Sequence, residues 1–396
     1  MLDTDDRIGF MRRPESQRGR SVLLVTAAIA LSASVGARAL AAPPSTASDD
    51  STQIQPVPSR APPPASVADA GLAGAQDERV LAGHRFFFPL LQETAFNTTY
   101  FGIRQGGGSY SVPKYPTIVG TFDVEEMFLT EGADLAVRLH DRIGVFGTFE
   151  GQAFTGTNGT SVLARGGKFA VGGTLGGVVK LARIEQTGTQ FAGRVFGRVD
   201  TGTQLNVLQL LQAMSSSEMD LDKVMDGEFV KYAIMDAGFH EYGLSFHGAQ
   251  ALARYFSLQG SVRYAHGGWF VKASTPRGTV EDSSSTDDLQ LVLAAGVDGM
   301  PAHVPVAAVL EYKIEGIWTT NDATDVTTVD SHHVVSAGFY YSGQRNLQLG
   351  IALETEISMT PERGTDEDGR TVSSGSPSRF SGQFVFRYIW PGATNQ

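Results

Sequence analysis

The chain has 396 residues, a formal net charge of −11 at pH 7 and no cysteine. The lack of cysteine excludes a disulfide framework, a thiolate metal site and a lipid-anchor cysteine, and the negative charge argues against nucleic-acid binding. Glycine accounts for 46 of the 396 residues, above the usual share of about 7%, which disfavours a helical protein and suits closely packed, curved strands.

The first 41 residues have the pattern of an export signal. Four arginines lie within 12–20, the run at 22–35 carries no charge, and Ala39-Leu40-Ala41 places small residues at the spacing that signal peptidase reads. The pattern predicts a secretory signal peptide over residues 1–41, with cleavage before Ala42. An apolar run of about fourteen residues is too short for the alternative, a single membrane anchor.

Residues 42–83 are rich in proline, alanine and serine, a composition that predicts a disordered linker. A pre-barrel segment is predicted over 84–116. The sequence leaves three roles open for Phe86-Phe87-Phe88: an interface, a position in the mouth of the barrel predicted below, or simply the start of folded structure.

From Phe169 to the end of the chain, segments of about ten residues with alternating apolar and polar character are each followed by a turn. One segment places Leu310 and Ile314 on one face and Glu311 and Glu315 on the other, because side chains on a strand point alternately to its two sides. Many such strands, each long enough to cross a bilayer when tilted, predict an all-β fold: an antiparallel up-and-down transmembrane β-barrel. The alternative is a soluble β-sandwich or lipocalin-like barrel, whose strands usually run only about five to six residues.

Turn lengths predict about twelve strands, within a range of ten to fourteen. From the third strand onward, short connections alternate with long ones, as in bacterial barrels that have short periplasmic turns and longer external loops. Twelve strands place both ends of the barrel on the periplasmic side, whereas a thirteenth at 94–105 would not, so 94–105 stays in the pre-barrel segment. The predicted strands are 117–129, 133–140, 143–154, 169–182, 190–200, 238–248, 253–265, 288–298, 305–318, 332–342, 346–358 and 379–390. The predicted long loops are 155–168, 201–237, 266–287, 319–331 and 359–378, and the short turns are 185–189, 249–252, 299–304 and 343–345.

The longest connection, 201–237, is predicted to contain a helical insert. Leu205, Leu208 and Leu211 recur at helical spacing and would share one apolar face. The sequence leaves open whether this insert folds into the lumen or stays outside it.

The last strand carries aromatic residues on a single face. An aromatic C-terminal strand resembles the assembly signal of Gram-negative outer-membrane β-barrel proteins, and 117–390 resembles their porin-like architecture. The departure is the tail 391–396, since those proteins usually end on the aromatic residue itself. The resemblance implies a bacterial outer-membrane location and recognition by the barrel-assembly machinery. The aromatic residues are Phe380, Phe384, Phe386, Tyr388 and Trp390.

The polar faces of the strands predict a charged lumen. Basic residues on the strands at 169–182, 190–200 and 253–265 are expected to oppose acidic residues on the strands at 305–318 and 346–358, which predicts an electric field across a pore. The alternative is a lumen neutralised by salt bridges that only stiffen the barrel. The residues predicted to line the pore are Lys180, Arg194, Arg198, Arg263, Glu311, Lys313, Glu315, Glu354, Glu356, Asp123 and Glu125.

Motifs for chemistry are weak, and no catalytic residue, metal site or cofactor is predicted. Ser245 and His247 share one strand face with Glu241, but polar pore lining accounts for them better than a catalytic triad. His332-His333 lacks further spaced ligands, and the acidic run 366–369 lacks the first and twelfth ligands of a calcium loop.

Two functions remain open from the sequence. The first is a passive, porin-like channel for small hydrophilic solutes or ions in the bacterial outer membrane. The second is a non-conducting structural or adhesion barrel that displays long polar loops. The expected partners are the lipid bilayer, small polar solutes or ions, the barrel-assembly machinery and, for an oligomeric barrel, further copies of the chain, with no nucleic acid.

Overall fold

The computed structural model describes residues 77–117, 120–207, 210, 230–275, 278–365 and 370–390. The predicted signal peptide, residues 42–76 of the predicted linker, the tail, the acidic run 366–369 and most of the helical insert lie outside the described residues. Within the described ranges, no helix is both long and apolar enough to cross a membrane.

Twelve antiparallel strands form one closed barrel in which every strand pairs with its neighbours in the chain and the last pairs with the first. This confirms the predicted all-β, up-and-down barrel of twelve strands. The strands are β1 (Tyr100–Thr117), β2 (Gly120–His140), β3 (Ile143–Gly156), β4 (Gly167–Ile184), β5 (Thr189–Leu205), β6 (Ile234–Ala251), β7 (Phe256–Thr275), β8 (Gly278–Asp298), β9 (Val306–Asn321), β10 (Val326–Tyr341), β11 (Leu347–Met359) and β12 (Ser378–Ile389). The helices are α1 (Gly159–Arg165) and α2 (Val230–Ala233), with a 3-10 turn at Met300–Ala302, and small hairpins pair Val80–Leu81 with His84–Arg85 and Arg363–Thr365 with Thr371–Ser373.

The strand register fixes the tilt of the barrel. Cross-strand pairs followed from Glu131 of β2 through β3, β4, β5 and β6 lead to Phe270 of β7. Pairs followed from Glu131 in the other direction around the barrel, through β1, β12, β11, β10, β9 and β8, lead to Phe256 of β7. A stagger of fourteen residues over twelve strands corresponds to a tilt of about 40° and a radius of about 12 Å.

The outer surface carries an apolar belt. Phe380 and Phe384 of β12, and Trp390 directly after it, are about half exposed, while Val385 and Ile389 between them face inward and are buried. From Phe380 to Trp390 the strand runs about 34 Å, or about 25 Å in height at this tilt, which matches the apolar band of a transmembrane barrel. Aromatic residues lie on the outer surface near both edges of the belt: Tyr341, Tyr388 and Trp390 at one edge, and Tyr242, Tyr264 and Tyr312 toward the other.

The N-terminal boundary of the barrel differs from the prediction. The segments predicted as two strands, 117–129 and 133–140, form the single strand β2, and the pre-barrel segment supplies β1 from Tyr100 onward. Gly106-Gly107-Gly108 and the bulge between Val112 and Tyr115 interrupt the alternation in β1 and conceal it in the sequence. Two errors therefore cancelled in the predicted count of twelve.

Two predicted long loops are also wrong. Strands β7 and β8 continue through most of 266–287 and leave only residues 276–277 between them, and β9 and β10 are joined by residues 322–325. Cross-strand pairing extends these polar segments beyond the apolar belt. Within the predicted insert 201–237, residues 201–205 belong to β5 and residues 234–237 belong to β6. The short helix α2 lies inside the predicted insert, directly before β6.

The connections divide the barrel into two ends. The short turns β2–β3, β4–β5, β6–β7, β8–β9 and β10–β11 share one end with the start of β1 and the end of β12. We call this the short-turn end and the opposite one the loop end. At the loop end, Ser161 and Ala164 of α1 are buried, and Ala164 packs with Val112 and Val124 on the inner faces of β1 and β2.

Candidate functional site

A separate segment of chain closes the lumen at the short-turn end. This segment, residues 77–99, precedes β1, and we call it the plug. Its hairpin turns at Ala82 and Gly83, where φ is 47° and 80°, a turn conformation that matches the twist of paired strands. Residues 77–83 were predicted as part of a disordered linker, whereas Val80–Leu81 form one strand of the plug hairpin. Residues 84–99 precede β1, as the predicted pre-barrel segment does.

Phenylalanines anchor the plug inside the barrel. Phe86, Phe87 and Phe88 are at most 3% exposed. Phe87 stacks parallel to Tyr340 of β10 at 6.3 Å between ring centroids, and Phe86 packs against Phe96 at 4.9 Å. Burial of each aromatic ring stabilises the bound plug by roughly 1.5–3 kcal/mol before the cost of ordering the chain. The sequence left three roles open for Phe86-Phe87-Phe88, and the structure places this cluster inside the barrel at its short-turn end.

Glutamine side chains on the barrel wall satisfy the plug backbone. Gln348 Nε2 donates to the Phe88 carbonyl at 3.0 Å, and its Oε1 accepts from the Phe88 amide at 3.1 Å. Gln259 donates to the Phe87 carbonyl at 2.9 Å, and Gln190 to the Ala95 carbonyl at 2.6 Å. Because the plug interior is irregular, these side chains replace the hydrogen bonds that a sheet would provide.

Glu311 binds the deepest part of the plug. Its Oε1 accepts from the Leu90 amide at 2.6 Å, and its Oε2 accepts from the Leu91 amide at 2.8 Å. Glu311 is 1% exposed and lies five residues into β9, about 13 Å above the start of that strand. The plug therefore reaches about half-way through the apolar belt.

Ion pairs join the plug to basic residues on three strands of the barrel. Glu78 contacts Arg138 at 2.6 Å, Arg183 at 3.1 Å and Lys180 at 3.5 Å. Arg194 forms an ion pair with Glu93 and donates to the Thr94 carbonyl at 2.6 Å. These contacts join β2, β4 and β5 to one plug.

A polar cavity of about 300 Å³ lies above the plug, on the side of the loop end. Plug residues from Phe88 to Thr94 form its floor, and the inner faces of the strands form its wall. Its charged lining residues are five basic ones, Arg104, Arg198, Arg263, Lys313 and Arg387, and five acidic ones, Glu93, Asp134, Glu150, Glu241 and Glu315.

The residues predicted to line the pore fall into four groups. Lys180, Arg194 and Glu311 hold the plug, while Arg198, Arg263, Lys313 and Glu315 line the cavity. Glu354 and Glu356 lie on the inner face of β11, where Glu356 contacts His332 and Arg379. The placement of Asp123 and Glu125 in the lumen is wrong: both share the outer face of β2 with Met127 and Leu129, and Glu126 points inward instead.

The lumen charges are paired locally. Arg198 contacts Asp200 at 2.7 Å and Lys313 contacts Glu315 at 3.0 Å, each pair within one strand. Arg263 forms ion pairs with Glu241 and Asp288 on the two adjacent strands. This arrangement agrees with a neutralised lumen and not with two opposed walls of opposite charge.

The residues considered for catalysis or metal binding do not form a catalytic triad or a metal site among the described residues. Ser245 Oγ lies 2.7 Å from His247 Nε2, but the Glu241 carboxylate pairs with Arg263. His332 faces Glu356 in the lumen, whereas His333 is bonded to the Tyr312 hydroxyl on the outer face. Within the described ranges, no group of three or more metal-ligating side chains of the His, Asp or Glu type comes together.

Neither the plug nor the glutamines that bind it were predicted from the sequence. The sequence did contain a signal for a bound segment: Gln190, Gln259 and Gln348 lie on the inward faces of their strands. A glutamine cannot form an ion pair with the charged residues of the lumen, so its amide group needs another hydrogen-bonding partner there. The partner segment is distant in sequence, so its position had no local signal.

No protein-family model and no curated protein matches the chain. Among solved structures, the chain is similar to the toluene transporter TodX of P. putida, with 10% identity, coverage of 74% of this chain and 90% of that one, and a TM-score of 0.34. It is also similar to an outer membrane channel of Pseudomonas putida F1 (10% identity, coverage 74% and 96%, TM-score 0.43). A third similar structure is the transport unit of the autotransporter AIDA-I of Escherichia coli (9% identity, coverage 77% and 94%, TM-score 0.44).

Proposed function

We propose that the protein is a bacterial outer-membrane barrel that admits small hydrophilic solutes into its lumen from the loop end, and that displacement of the plug allows them to pass. The apolar belt of about 25 Å, its aromatic edges and the predicted signal peptide support this location. The short-turn end then faces the periplasm.

The main support for the proposal is that the floor of the cavity is not part of the barrel wall. The floor belongs to the plug, a segment outside the strand ladder, and the described contacts between plug and wall are packing, hydrogen bonds and ion pairs. The plug can therefore leave while all twelve strand pairings remain intact. Charged residues line the space behind it, and burial of so many charges in a dry core would be very unfavourable.

The bound plug also favours the second candidate, a non-conducting barrel. With the plug bound, the lumen is blocked over about the inner half of the belt. A barrel whose plug never leaves would serve only to anchor the chain and display its loops.

A reversible lock on the plug distinguishes the two functions. A Cβ atom at Gly188 would lie 3.0 Å from the Ala82 Cβ, slightly inside the spacing of about 3.5–4.5 Å in a disulfide. Gly188 has a φ of 66° and the added Cβ would lie 2.9 Å from the Ala251 Cβ, so the β4–β5 turn has to shift slightly to hold a cysteine. The double variant Ala82→Cys with Gly188→Cys contains the only two thiols in the chain. Oxidation should therefore fix the tip of the plug hairpin to the β4–β5 turn.

Planar bilayer recording then provides the readout. The proposal predicts conductance steps from the reduced double variant, no steps after oxidation, and their return when reductant is added. Each single-cysteine variant serves as the control and should conduct under both conditions. A lack of steps from the reduced variant, and also from variants with weakened plug contacts, would support the non-conducting barrel.

A further inference from the structure

We infer that the cavity above the plug binds small zwitterionic solutes, such as amino acids or short peptides, before they cross. This inference rests on the proposed function and names its class of solute. It depends on the charge balance of the cavity, on the arginines that cover two of its aromatic rings, and on a plug residue whose polar atoms have no hydrogen-bond partner among the described residues.

The charge balance of the lining selects the solute. Five basic and five acidic side chains line the cavity, and many of them are already paired, as Arg104 is with Asp134 at 3.0 Å and with Glu150 at 2.7 Å. An anion or a cation would compete with one member of a pair and leave the other unpaired, which is unfavourable in a partly buried site. A dipolar solute brings both charges and can engage an acid and a base together.

Two of the three aromatic rings that line the cavity, those of Phe88 and Phe196, are covered by guanidinium groups. The Phe196 ring is covered by the Arg263 guanidinium at 4.7 Å, and the Phe88 ring has Arg79 and Arg387 over it at 5.5 and 5.7 Å. These cation–π contacts occupy the ring faces on which a sugar or hydrocarbon would stack. The volume of about 300 Å³ lies at the lower end for ligand pockets, which suits a solute of dipeptide size.

Gln92 of the plug provides an independent indication of a ligand. It lines the cavity and is 9% exposed, and neither its Oε1 nor its Nε2 has a hydrogen-bond partner among the described residues. Buried amide groups are normally satisfied, so an unpartnered one beside a cavity indicates that partners are missing. Both amide atoms are covered in this structure, so the Gln92 side chain has to turn toward the cavity to meet a solute. The carboxylate and ammonium groups of a zwitterion supply both an acceptor and a donor.

The test is calorimetric binding to the full chain in detergent, with the plug locked by oxidation of the Ala82→Cys, Gly188→Cys variant. The probes are glycylglycine, succinate, putrescine and erythritol, which are a zwitterion, a dianion, a dication and a neutral polyol. Saturable binding is expected for glycylglycine alone. The added substitution Gln92→Leu should weaken it about tenfold or more, and Gln105→Leu, on the outer face of β1, should leave it unchanged.

The locked background keeps this test separate from conduction. Equal binding of succinate or putrescine, or unchanged binding in Gln92→Leu, would overturn the inference. The inference would also be overturned if none of the probes showed saturable binding. The proposed passage of solutes is tested separately, by the conductance of the reduced protein.

Discussion

At the scale of single residues, Glu311 has the most demanding role. A carboxylate at the centre of a barrel is tolerated where its oxygens accept strong hydrogen bonds, and here both accept plug amides. The residue was predicted as pore lining, and the structure shows it holding the element that blocks the lumen.

Glu311→Ala should increase the open probability in planar bilayers. A hydrogen bond to a charged group contributes about 1.5–3 kcal/mol, so loss of even one shifts the equilibrium toward the displaced plug about tenfold or more. The control is Glu354→Gln, another inward glutamate, to which no described plug residue hydrogen-bonds. An equal increase in the control would show that lumen charge, and not plug contact, controls opening.

His84 should make plug binding dependent on pH. Burial lowers the pKa of His84 below its ordinary value of 6.5, and the neighbouring Arg85 lowers it further, outweighing the Arg254 carbonyl and Asp298, which raise it. The bound plug therefore favours neutral His84. Its contribution is complete above about pH 6.5 and falls at lower pH, because the displaced plug takes up a proton first.

The measurement is the change in open probability between about pH 7.5 and pH 5.5. The wild-type chain should open more at the lower pH, and His84→Gln, which retains a donor for the Arg254 carbonyl, should show a smaller change. An identical pH response in the two proteins would assign the effect to other groups.

At the scale of the elements, β1 shows where sequence periodicity was insufficient. Its outward face has Phe101 and Ile103 near the short-turn end, but Gln105, Gly107 and Ser109 farther along, so apolar alternation fades half-way. The strand is nevertheless fixed by pairing with β2 and β12 on both sides. Backbone hydrogen bonding between strands does not depend on side-chain polarity. Pairing with β2 and β12 could therefore specify β1 as a strand although the side chains of β1 did not indicate one.

Glycine is required at Gly108 for the closure of the barrel. A Cβ atom there would overlap the Phe380 carbonyl of β12 and lie 2.8 Å from the Phe128 ring of β2. Gly108→Val should therefore strain the β12–β1 seam by about 1–3 kcal/mol or more. The expected result is a smaller fraction migrating as the compact form in unheated detergent gels, whereas Ser109→Val, on the outer face, should match wild type.

At the scale of the whole molecule, the apolar belt decides how the barrel is solvated. Ile351 lies outward near mid-belt and is half exposed, whereas Val326, equally exposed, begins β10 at the loop end, beyond the belt. An arginine on the lipid face costs about 2–4 kcal/mol at the midplane and about 0–1 kcal/mol near the interface. Ile351→Arg should accordingly lower the free energy of unfolding from lipid vesicles in urea, and Val326→Arg should not. Equal effects of the two substitutions would contradict this position of the bilayer.

The sequence by itself determined the barrel. Alternation with period two requires only that each strand has one apolar and one polar face, and β9 and β11 show this on their own residues. The same local signal located the short turns and placed most of the lumen charges on the inner face.

Only the tertiary structure decided what fills the barrel. Glu311, Gln348 and Arg194 are brought to one segment by strands far apart in the chain, and that segment has no periodic pattern of its own. The plug is specified by the shape and hydrogen-bonding groups of a closed lumen, and that lumen exists only after β12 has paired with β1.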